Sequence, residues 1–470
     1  MKKLMLTMAL AAMTAQAADK YNPEAREAPE WLTKGVIYQI QPRAFTPEGT
    51  LKAATAKLKH IKELGATIIY ICPVVVSDDD MDESLWSPRQ RRSKTGNPRN
   101  NYRLKDYFNI DPEYGTREDF AGFVKTAHDL GLRVMLDLVF LHCGPTAVFL
   151  DKHPEYVKHD AEGKIVKSPW GFPAFNFESP ACREYLMSIM TYWAAAFDID
   201  GYRCDVAEMT PLDFWEKARE RLDALRPGNF AMLCEGNCTG KGHELEQVNA
   251  FDCCYCFEWS NQVLFPVLDG KSPVSELRRV WLRLEAVLPK GARLLRYTDN
   301  HDCATDDGDK RRDHEKHWGV PLHDAALAFC FALDGVPFIY NGQEFADIRP
   351  HSMFTNKQGI DWSDASTSAA KARTALLKKF CALKASDDAF ASGTLTWIDN
   401  DRPDAVASFI RTAPDGKRYL CVFNFRKDCK GVQVELPATP ADTLVSANAT
   451  VSAGGAYTFT GPAYDIRLLK

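Results

Sequence analysis

From residue 35 to about residue 385, short β-rich runs alternate with amphipathic helical stretches. This alternation predicts parallel strands that are joined by right-handed helical crossovers. Eight runs have the character of strands: residues 36–40, 67–71, 133–137, 201–205, 230–234, 251–255, 293–297 and 337–340. Seven helices are expected between or behind them: residues 51–64, 117–130, 180–196, 211–225, 274–288, 324–333 and 367–383. The pattern therefore predicts an α/β chain built on a closed (β/α)8 TIM barrel.

Other parts of the pattern predict additions to this barrel. The connections 73–114 and 143–178 are too long for simple turns, and such loops usually carry function. We expect residues 143–178 to form a short inserted subdomain, which leaves residues 18–142 and 179–388 for the barrel. After residue 392 the helical period gives way to alternating runs at 405–411, 418–425 and 431–436. Residues 389–470 therefore predict a C-terminal antiparallel β-sandwich domain.

Composition and charge narrow the class of protein. Hydrophobic residues make up 45% of the chain and charged residues 26%, which suits a large globular core. The net charge of -5 gives no broad basic surface, so nucleic acid is a poor candidate partner and a neutral substrate fits better. The oligomeric state stays open.

The N-terminal segment, residues 1–17, has the pattern of a signal peptide. Lys2 and Lys3 precede an apolar stretch over residues 4–13, and Ala15 and Ala17 suit a small-residue cleavage site. No later run of about 18 apolar residues is present that would span a bilayer. We expect an exported product without a membrane span, in the periplasm or outside the cell.

Fourteen cysteines raise the question of disulfides in an exported chain. Cys72, Cys204 and Cys234 lie in apolar strand-like runs, which favours buried thiols over disulfides. Cys253, Cys254 and Cys256 crowd into one run that metal binding would also explain. A second CxxC or a His pair at zinc spacing is absent, so core packing is favoured for all three.

Candidate catalytic residues lie at the C-terminal ends of the predicted strands, where barrels of this kind carry their catalytic groups. Four apolar runs end in acids, His or Arg, and these residues are Asp137, His142, Arg203, Asp205, Glu235, His301 and Asp302. One carboxylate after a strand is readily a helix cap, but four on the barrel are harder to explain in that way.

Asp205 and Glu235 end two successive predicted strands with one predicted helix between them, which makes these strands neighbours in the barrel. A retaining glycosidase needs two carboxyl groups roughly 5 to 5.5 Å apart, one as nucleophile and one as acid. Arg203 lies on the same side of its strand as Asp205 and is expected to lower the pKa of that carboxyl. Glu235 follows apolar residues, so its pKa is expected to be higher.

Six motifs in order along residues 35–470 resemble those of glycoside hydrolase family 13, the α-amylase family. They are GVIYQIQPRAF, DLVFLH, GYRCDVA, CE, TDNHD and GVPFIYNGQE. The resemblance implies retaining cleavage of α-glucosidic bonds through a covalent glycosyl-enzyme intermediate.

Residue by residue, the resemblance implies Asp205 as nucleophile, Glu235 as general acid/base and Asp302 as the third carboxylate, which grips sugar hydroxyls. Arg203 would orient the nucleophile. The resemblance implies three further contacts with the sugar in the cleavage subsite, namely Tyr102 by stacking and His142 and His301 through hydroxyl groups. It also implies four framework residues: Tyr38, Asp106, Asp137 and Glu344.

The chain departs from the family pattern at the usual calcium site. Leu141 stands where an Asn ligand is usual, and Ala174 stands where a carboxylate is usual. Calcium needs about six to eight oxygen ligands, so the resemblance implies that this site is lost. We therefore expect no metal and no cofactor.

Other departures leave the substrate open. Glu208 and Met209 replace a common Lys-His pair, and Arg103 follows Tyr102 where exo-acting glucosidases tend to carry Asp. We favour an α-amylase-like enzyme acting on α-glucans or maltooligosaccharides over an α-glucosidase, a transglycosylating member or an inactive glucan-binding protein.

Two segments of the chain each allow two interpretations. The basic segment Pro88–Arg103 is expected to be a solvated loop, with a place at the rim of the active site as the alternative. The C-terminal module is expected to cover barrel helices, with starch binding as the alternative.

Overall fold

The computed structural model of the chain describes residues 23–240, 242–303, 314–349, 351–354, 359–435 and 440–469. The predicted signal peptide, residues 1–17, lies outside the described residues. Among those residues, no helix combines the length and the apolar character that crossing a membrane requires.

The described chain contains sixteen strands. In chain order they are β1 Ile37–Ile40, β2 Ile68–Ile71, β3 Val75–Ser77, β4 Leu104–Ile110, β5 Arg133–Val139, β6 Gly201–Asp205, β7 Ala231–Cys234, β8 Cys253–Cys254, β9 Leu295–Arg296, β10 Val336–Tyr340, β11 Thr394–Trp397, β12 Val406–Thr412, β13 Arg418–Asn424, β14 Cys429–Val432, β15 Pro440–Val451 and β16 Tyr457–Leu469.

Eight of these strands form the predicted parallel barrel. Their order is β8-β7-β6-β5-β2-β1-β10-β9, and every neighbouring pair is parallel. The backbone N–H of Cys254 donates to the carbonyl of Arg293 at 3.0 Å, which links β8 to β9 and closes the ring. The predicted fold class is confirmed. β8 and β9 are shorter than predicted, and Cys256 turns into the left-handed region (φ 53°) just beyond β8.

Helices surround the barrel and carry apolar stripes that face it. The long ones are Arg117–Asp129, Pro180–Phe197, Leu212–Leu225, Ser275–Val287, Val320–Ala332 and Ser368–Ser386. The short ones are Glu30–Thr33, Pro42–Phe45, Leu51–Thr55, Leu58–Leu64, Pro88–Ser93, Glu246–Asn249, Phe257–Trp259, Phe265–Leu268, His314–Trp318 and Asp388–Ala391. Capping by side chains explains where two of the long helices begin. Thr116 and Asp119 form a reciprocal capping box, and the Ser179 hydroxyl accepts the amide of Cys182.

Two long connections rise above the C-terminal ends of the strands. In the first, β3 and β4 pair antiparallel and flank the helix Pro88–Ser93. In the second, residues 143–178 form isolated antiparallel bridges, including Val157 with Phe175. Phe149 and Tyr156 pack beside these bridges at a ring distance of 5.6 Å. Both connections are therefore ordered by backbone pairing and by packing of side chains.

The C-terminal strands β11 to β16 form one connected antiparallel sheet, in which β16 pairs with β13, β14 and β15. One face packs on the barrel, where Phe329 of the helix Val320–Ala332 contacts Phe409, Phe423 and Phe425 at ring distances of 5.2 to 6.0 Å. The other face has a smaller apolar core of its own. The sheet thus covers barrel helices.

The cysteines correct one expectation. Cys72, Cys204, Cys234, Cys253 and Cys256 are buried free thiols, as predicted. Cys254, which is predicted to be a packing residue like its neighbours, instead forms a disulfide with Cys238. The sequence did not reveal this pair because Cys238 lies in the loop after β7, and only the pairing of β7 with β8 brings that loop beside Cys254.

Candidate active site

A pocket opens at the C-terminal mouth of the barrel, where the predicted residues meet. Its lining comprises Ser87, Arg89, Asn100, Tyr102, His142, Trp170, Phe172, Asp205, Val206, Glu235, His301, Asp302, Met353 and Phe354. Six of the seven predicted site residues belong to this lining. The seventh, Arg203, is 1% exposed and lies beneath it.

Arg203 connects the carboxylates at the floor of the pocket. Its NH1 donates to Oδ1 of Asp205 at 2.8 Å and to Oδ1 of Asp137 at 2.8 Å, and its NH2 lies 2.5 Å from Oε1 of Glu235. The guanidinium also lies near the rings of Tyr102 and Tyr255, at 5.8 and 5.7 Å. One cation therefore holds both candidate catalytic carboxylates in place.

The backbone just after Asp205 is strained. Val206 is a β-branched residue in the left-handed region (φ 44°), a conformation that such residues rarely adopt. In this conformation its N–H donates to Oε2 of Glu235 at 2.7 Å. The strained turn thus fixes the second oxygen of the Glu235 carboxyl. Sequence reasoning missed Val206, because its type gives no sign of a positive φ.

Burial dominates the electrostatics of the pair. Asp205 is 6% exposed and Glu235 is 7% exposed. Burial raises the pKa of Asp205 well above its ordinary value, although Arg203 acts in the opposite direction, so the expected lowering is wrong. Burial also raises the pKa of Glu235. Asp205 and Glu235 share one guanidinium, so this pair is suited to retaining a proton.

Asp302 differs from the pair because a second cation meets it. Arg89 forms an ion pair with Asp302, and Nε2 of His301 lies 3.4 Å from its carboxylate. Desolvation in the cleft opposes the charge, but His301 and Arg89 outweigh it and lower the pKa of Asp302. Asp302 is therefore ionised at neutral pH.

The two histidines are held neutral. Burial lowers the pKa of His142 to about 4 and that of His301 to about 4. Nε2 of His142 donates to the carbonyl of Tyr102 at 2.9 Å, and its buried Nδ1 has no hydrogen-bond partner in the described part of the chain. That nitrogen is an acceptor at the pocket wall.

A hydrogen-bonded chain fixes His301. Nε2 of Gln39 donates to Nδ1 of His301 at 2.8 Å, and Nε2 of His301 bonds the hydroxyl of Tyr102 at 2.9 Å. The Tyr102 hydroxyl in turn donates to Asp137 at 2.8 Å, and its ring stacks on His301 at 5.2 Å. The oxygen of Gln39 accepts the backbone N–H of His301, which fixes the orientation of the amide. Gln39 was missed from sequence, although it lies in the first-strand motif.

The basic segment Pro88–Arg103 is not the solvated loop that the sequence predicts. Arg89 reaches into the pocket, and Arg103 is fully buried beside Asp78 at 3.2 Å. The helix Pro88–Ser93 begins at Ser87, whose hydroxyl accepts the amide of Gln90. The alternative, a place at the rim, is the correct one, because acidic partners at the mouth compensate these cations.

Leu141 and Ala174 occupy the two positions at which the family pattern has calcium ligands. The carbonyl of Leu141 accepts the amide of Phe175 at 3.1 Å, and the Leu141 side chain is buried. Ala174 pairs with His142 through its backbone. Neither position offers a side-chain oxygen to a hard cation.

Parts of the chain are similar in sequence to known α-amylases. The family described as "Alpha amylase, catalytic domain" matches residues 18–164. "Alpha-amylase MalA" of Haloarcula japonica is 28% identical over 332 residues, which cover 68% of this chain and 45% of that protein. "Maltogenic alpha-amylase" of Bacillus acidopullulyticus is 30% identical over 248 residues, 44% of this chain and 39% of that protein. The chain thus spans less than half the length of these two relatives.

A solved structure extends the likeness to the fold of nearly the whole chain. The noncanonic maltogenic α-amylase AmyB of Thermotoga neapolitana aligns with a TM-score of 0.75 at 24% identity, covering 93% of this chain and 100% of that one. Over these ranges the chain is similar to members of the α-amylase family, glycoside hydrolase family 13, and its fold is that of the solved α-amylase.

Proposed function

We propose that this protein is a retaining glycoside hydrolase that cleaves α-glucosidic bonds in α-glucans or maltooligosaccharides. The observation that carries the proposal is the pair of buried carboxyl groups, Asp205 and Glu235, held on two nitrogens of Arg203 at the pocket floor. A glycosidic bond needs such a pair, one group to attack the anomeric carbon and one to protonate the leaving oxygen.

In the proposed reaction Asp205 is the nucleophile and Glu235 the acid. The carboxylate of Asp205 attacks the anomeric carbon while Glu235 gives its proton to the departing oxygen, which leaves a covalent glycosyl-enzyme. Glu235 then takes a proton from water, which attacks the same carbon and releases Asp205. The raised pKa of the buried pair supports this scheme, because one proton stays in the site until the leaving oxygen takes it.

The remaining site residues bind the sugar in this proposal. The ionised Asp302 accepts sugar hydroxyls, the neutral Nδ1 of His142 accepts another, His301 lines the wall beside the sugar, and Tyr102 offers a ring face. Trp170 and Phe172 add apolar wall beside His142, at ring distances of 5.8 and 5.0 Å. A neutral carbohydrate with apolar ring faces suits this mixture.

A rescue experiment with azide tests the mechanism. Glu235→Ala should nearly abolish hydrolysis of an aryl α-glucoside with a good leaving group, and azide should restore turnover with an α-glucosyl azide as product. Asp205→Ala with azide should instead give the β-azide, because azide then attacks in place of the nucleophile. Glu220→Gln, an exposed acid on the helix Leu212–Leu225, is the control. Equal activity of all three variants with the wild type would refute the assignment.

A panel of linkage-defined α-glucans tests the substrate. We expect shorter, reducing products from α-1,4-linked oligosaccharides. Longer or non-reducing products would instead favour a transglycosylating enzyme. Glucan binding without any turnover by the wild type would favour a binding protein.

We also propose that the site works without the usual calcium ion, because Leu141 and Ala174 supply no side-chain oxygen. Protein with its disulfide intact, dialysed against chelator, should keep its activity and Tm, and added Ca²⁺ should change neither. A clear rise in Tm on calcium addition would overturn this.

Export is proposed from the signal-peptide pattern of residues 1–17. One relative, an amylase of Bacillus subtilis, is named as intracellular, at 24% identity, so the location needs its own test. Cell fractionation of the full chain should find a shortened protein outside the cytoplasm. Full-length protein confined to the cytoplasm would contradict export.

A further inference from the structure

Three sulfur atoms meet below the loop that follows Glu235. Cys234 ends β7, Cys238 lies in the next loop, and Cys254 belongs to β8. Their Sγ atoms all lie within 4.8 Å of one another, and all three side chains are fully buried. Cys238 and Cys254 are joined as a disulfide, and Cys234 is a free thiol beside them.

A buried carboxylate faces these sulfur atoms. Oε2 of Glu246 lies 3.3 Å from Sγ of Cys234 and 3.4 Å from Sγ of Cys238. Glu246 is only 3% exposed, and its other oxygen meets Nδ1 of His243 at 2.7 Å. Burial of a carboxylate is costly without a compensating charge, and its ion-pair partner here is a histidine that is charged only when protonated. A metal cation bound to Oε2 would give this carboxylate a permanent cationic partner.

We propose that Cys234, Cys238, Cys254 and Glu246 bind one Zn²⁺ ion when the Cys238–Cys254 disulfide is reduced. Zinc is tetrahedral, with Zn–S near 2.3 Å and Zn–O near 2.0–2.2 Å, so a sulfur and an oxygen ligand lie about 3.5 Å apart. The distances from Oε2 of Glu246 to Cys234 and Cys238 match that spacing, whereas Glu246 lies outside the group of ligand atoms within 4.8 Å of one another that includes Cys254, so Cys254 must approach the carboxylate once the disulfide opens. His243 holds the second oxygen of Glu246, as outer partners of zinc ligands commonly do.

Zinc binding at this site requires two steps, reduction of the disulfide and release of the thiol protons. A water-soluble phosphine reduces the disulfide to two thiols and becomes a phosphine oxide, with the oxygen and the two protons coming from water. Zinc then displaces the protons of the three thiols, which leave to solvent, and Glu246 binds as the carboxylate. Three thiolates and one carboxylate around Zn²⁺ carry the same net charge as the four thiolates of a common structural zinc site.

The four ligands come from β7, its following loop, the helix Glu246–Asn249 and β8. Disulfide and zinc are thus alternative cross-links of the same segment, one for oxidising and one for reducing conditions. The sequence concealed this site because its ligands are spread between Cys234 and Cys254 without a second CxxC. The inference does not depend on the proposed hydrolase activity.

The test measures zinc in the full-length protein. The protein is reduced with the phosphine, loaded with zinc chloride, desalted and analysed by atomic emission, beside an untreated sample. Cobalt substitution adds a spectrum that reports thiolate ligands. Cys234→Ser and Glu246→Gln remove ligands, and Cys253→Ser is the matched control, because this buried thiol adjoins Cys254 but lies outside the cluster.

We expect one zinc per reduced chain, none in the oxidised chain, and a cobalt spectrum with sulfur-to-metal charge transfer. Each ligand variant should weaken zinc binding by at least the roughly 10- to 100-fold loss that even an outer partner causes. The control should bind as the wild type does. Absence of zinc in the reduced wild type would overturn the proposal, as would wild-type binding by both ligand variants. If a variant fails to fold, the zinc content and the cobalt spectrum of the wild type still test the proposal.

Discussion

At the scale of single residues, the balance of charge in the pocket is set by two arginines. Arg203 lies beneath the pocket and binds three carboxylates, and Arg89 enters from the rim and binds Asp302. Asp302 is therefore ionised while Asp205 and Glu235 compete for one cation. This division suits a site in which two acids react and the third binds.

Arg89→Ala is expected to weaken substrate use, because Asp302 loses the permanent cation that lowers its pKa. We expect kcat/KM to fall by about tenfold, about 1.4 kcal/mol, with the acid limb of the pH profile moved to higher pH. Arg92→Ala, an exposed arginine on the same helix, should have little effect. Steady-state kinetics across pH on a maltooligosaccharide would measure both, and an unchanged profile for Arg89→Ala would contradict the prediction.

His142 and His301 are expected to make the fold sensitive to acid. Each has a pKa of about 4 when folded, below the ordinary value of 6.5, so the unfolded chain binds more protons between these values. The free energy of unfolding should therefore fall as pH falls from about 6.5 towards 4. Urea denaturation at several pH values should show a smaller fall for His142→Gln, whereas His159→Gln, an exposed residue, should follow the wild type. A wild type equally stable at both ends of this range would refute the effect.

At the scale of elements, the helix Pro88–Ser93 determines where Arg89 lies. Gln90, next in sequence, is 1% exposed, and its Nε2 donates to the carbonyls of Asn97 and Pro98 at 2.9 Å each. These bonds tie the helix to the loop that leads to Tyr102. So short a helix has little stability of its own, and such tertiary bonds must hold it.

Gln90→Leu keeps the bulk of the side chain but leaves two carbonyls without their donor. We expect a loss of roughly 1–3 kcal/mol in the free energy of unfolding. We also expect a higher KM, because Arg89 and Tyr102, which line the pocket on either side of these bonds, shift. Chemical denaturation and kinetics would measure these effects, with Arg92→Ala again as control. Wild-type KM and stability in Gln90→Leu would show that the helix is held by other contacts.

At the scale of the whole molecule, the C-terminal sheet and the barrel share one apolar core. The helix Val320–Ala332 is almost entirely buried, since the barrel lies on one side and the sheet on the other. A helix that is apolar all round needs both covers to stay out of water. This arrangement favours a structural role for the sheet over starch binding.

Deletion of residues 391–470 is therefore expected to give insoluble or unstable protein. Within the intact chain, Phe423→Ala should cost about 3–5 kcal/mol, because its ring packs on Phe329, and Thr460→Ala, at an exposed position of β16, should cost little. Solubility after expression and urea denaturation would test these two statements. A soluble, active barrel that has only lost affinity for starch would instead support a binding module.

The sequence by itself determined the barrel, its eight strands and the residues that meet at its mouth. Apolar periodicity reports burial directly, and parallel strands bring their C-terminal ends together whatever the details of packing. His142, Asp205, Glu235, His301 and Asp302 were found in this way, whereas Tyr102 was implied by the family resemblance.

Only the tertiary structure decided the features that depend on distant segments meeting. Arg89 on Asp302, the Cys238–Cys254 disulfide and the positive φ of Val206 arise from loop placement, which local periodicity does not encode. The raised pKa of Asp205 is decided there too, because desolvation depends on everything that surrounds a charge, and the adjacent Arg203 alone predicted the opposite sign.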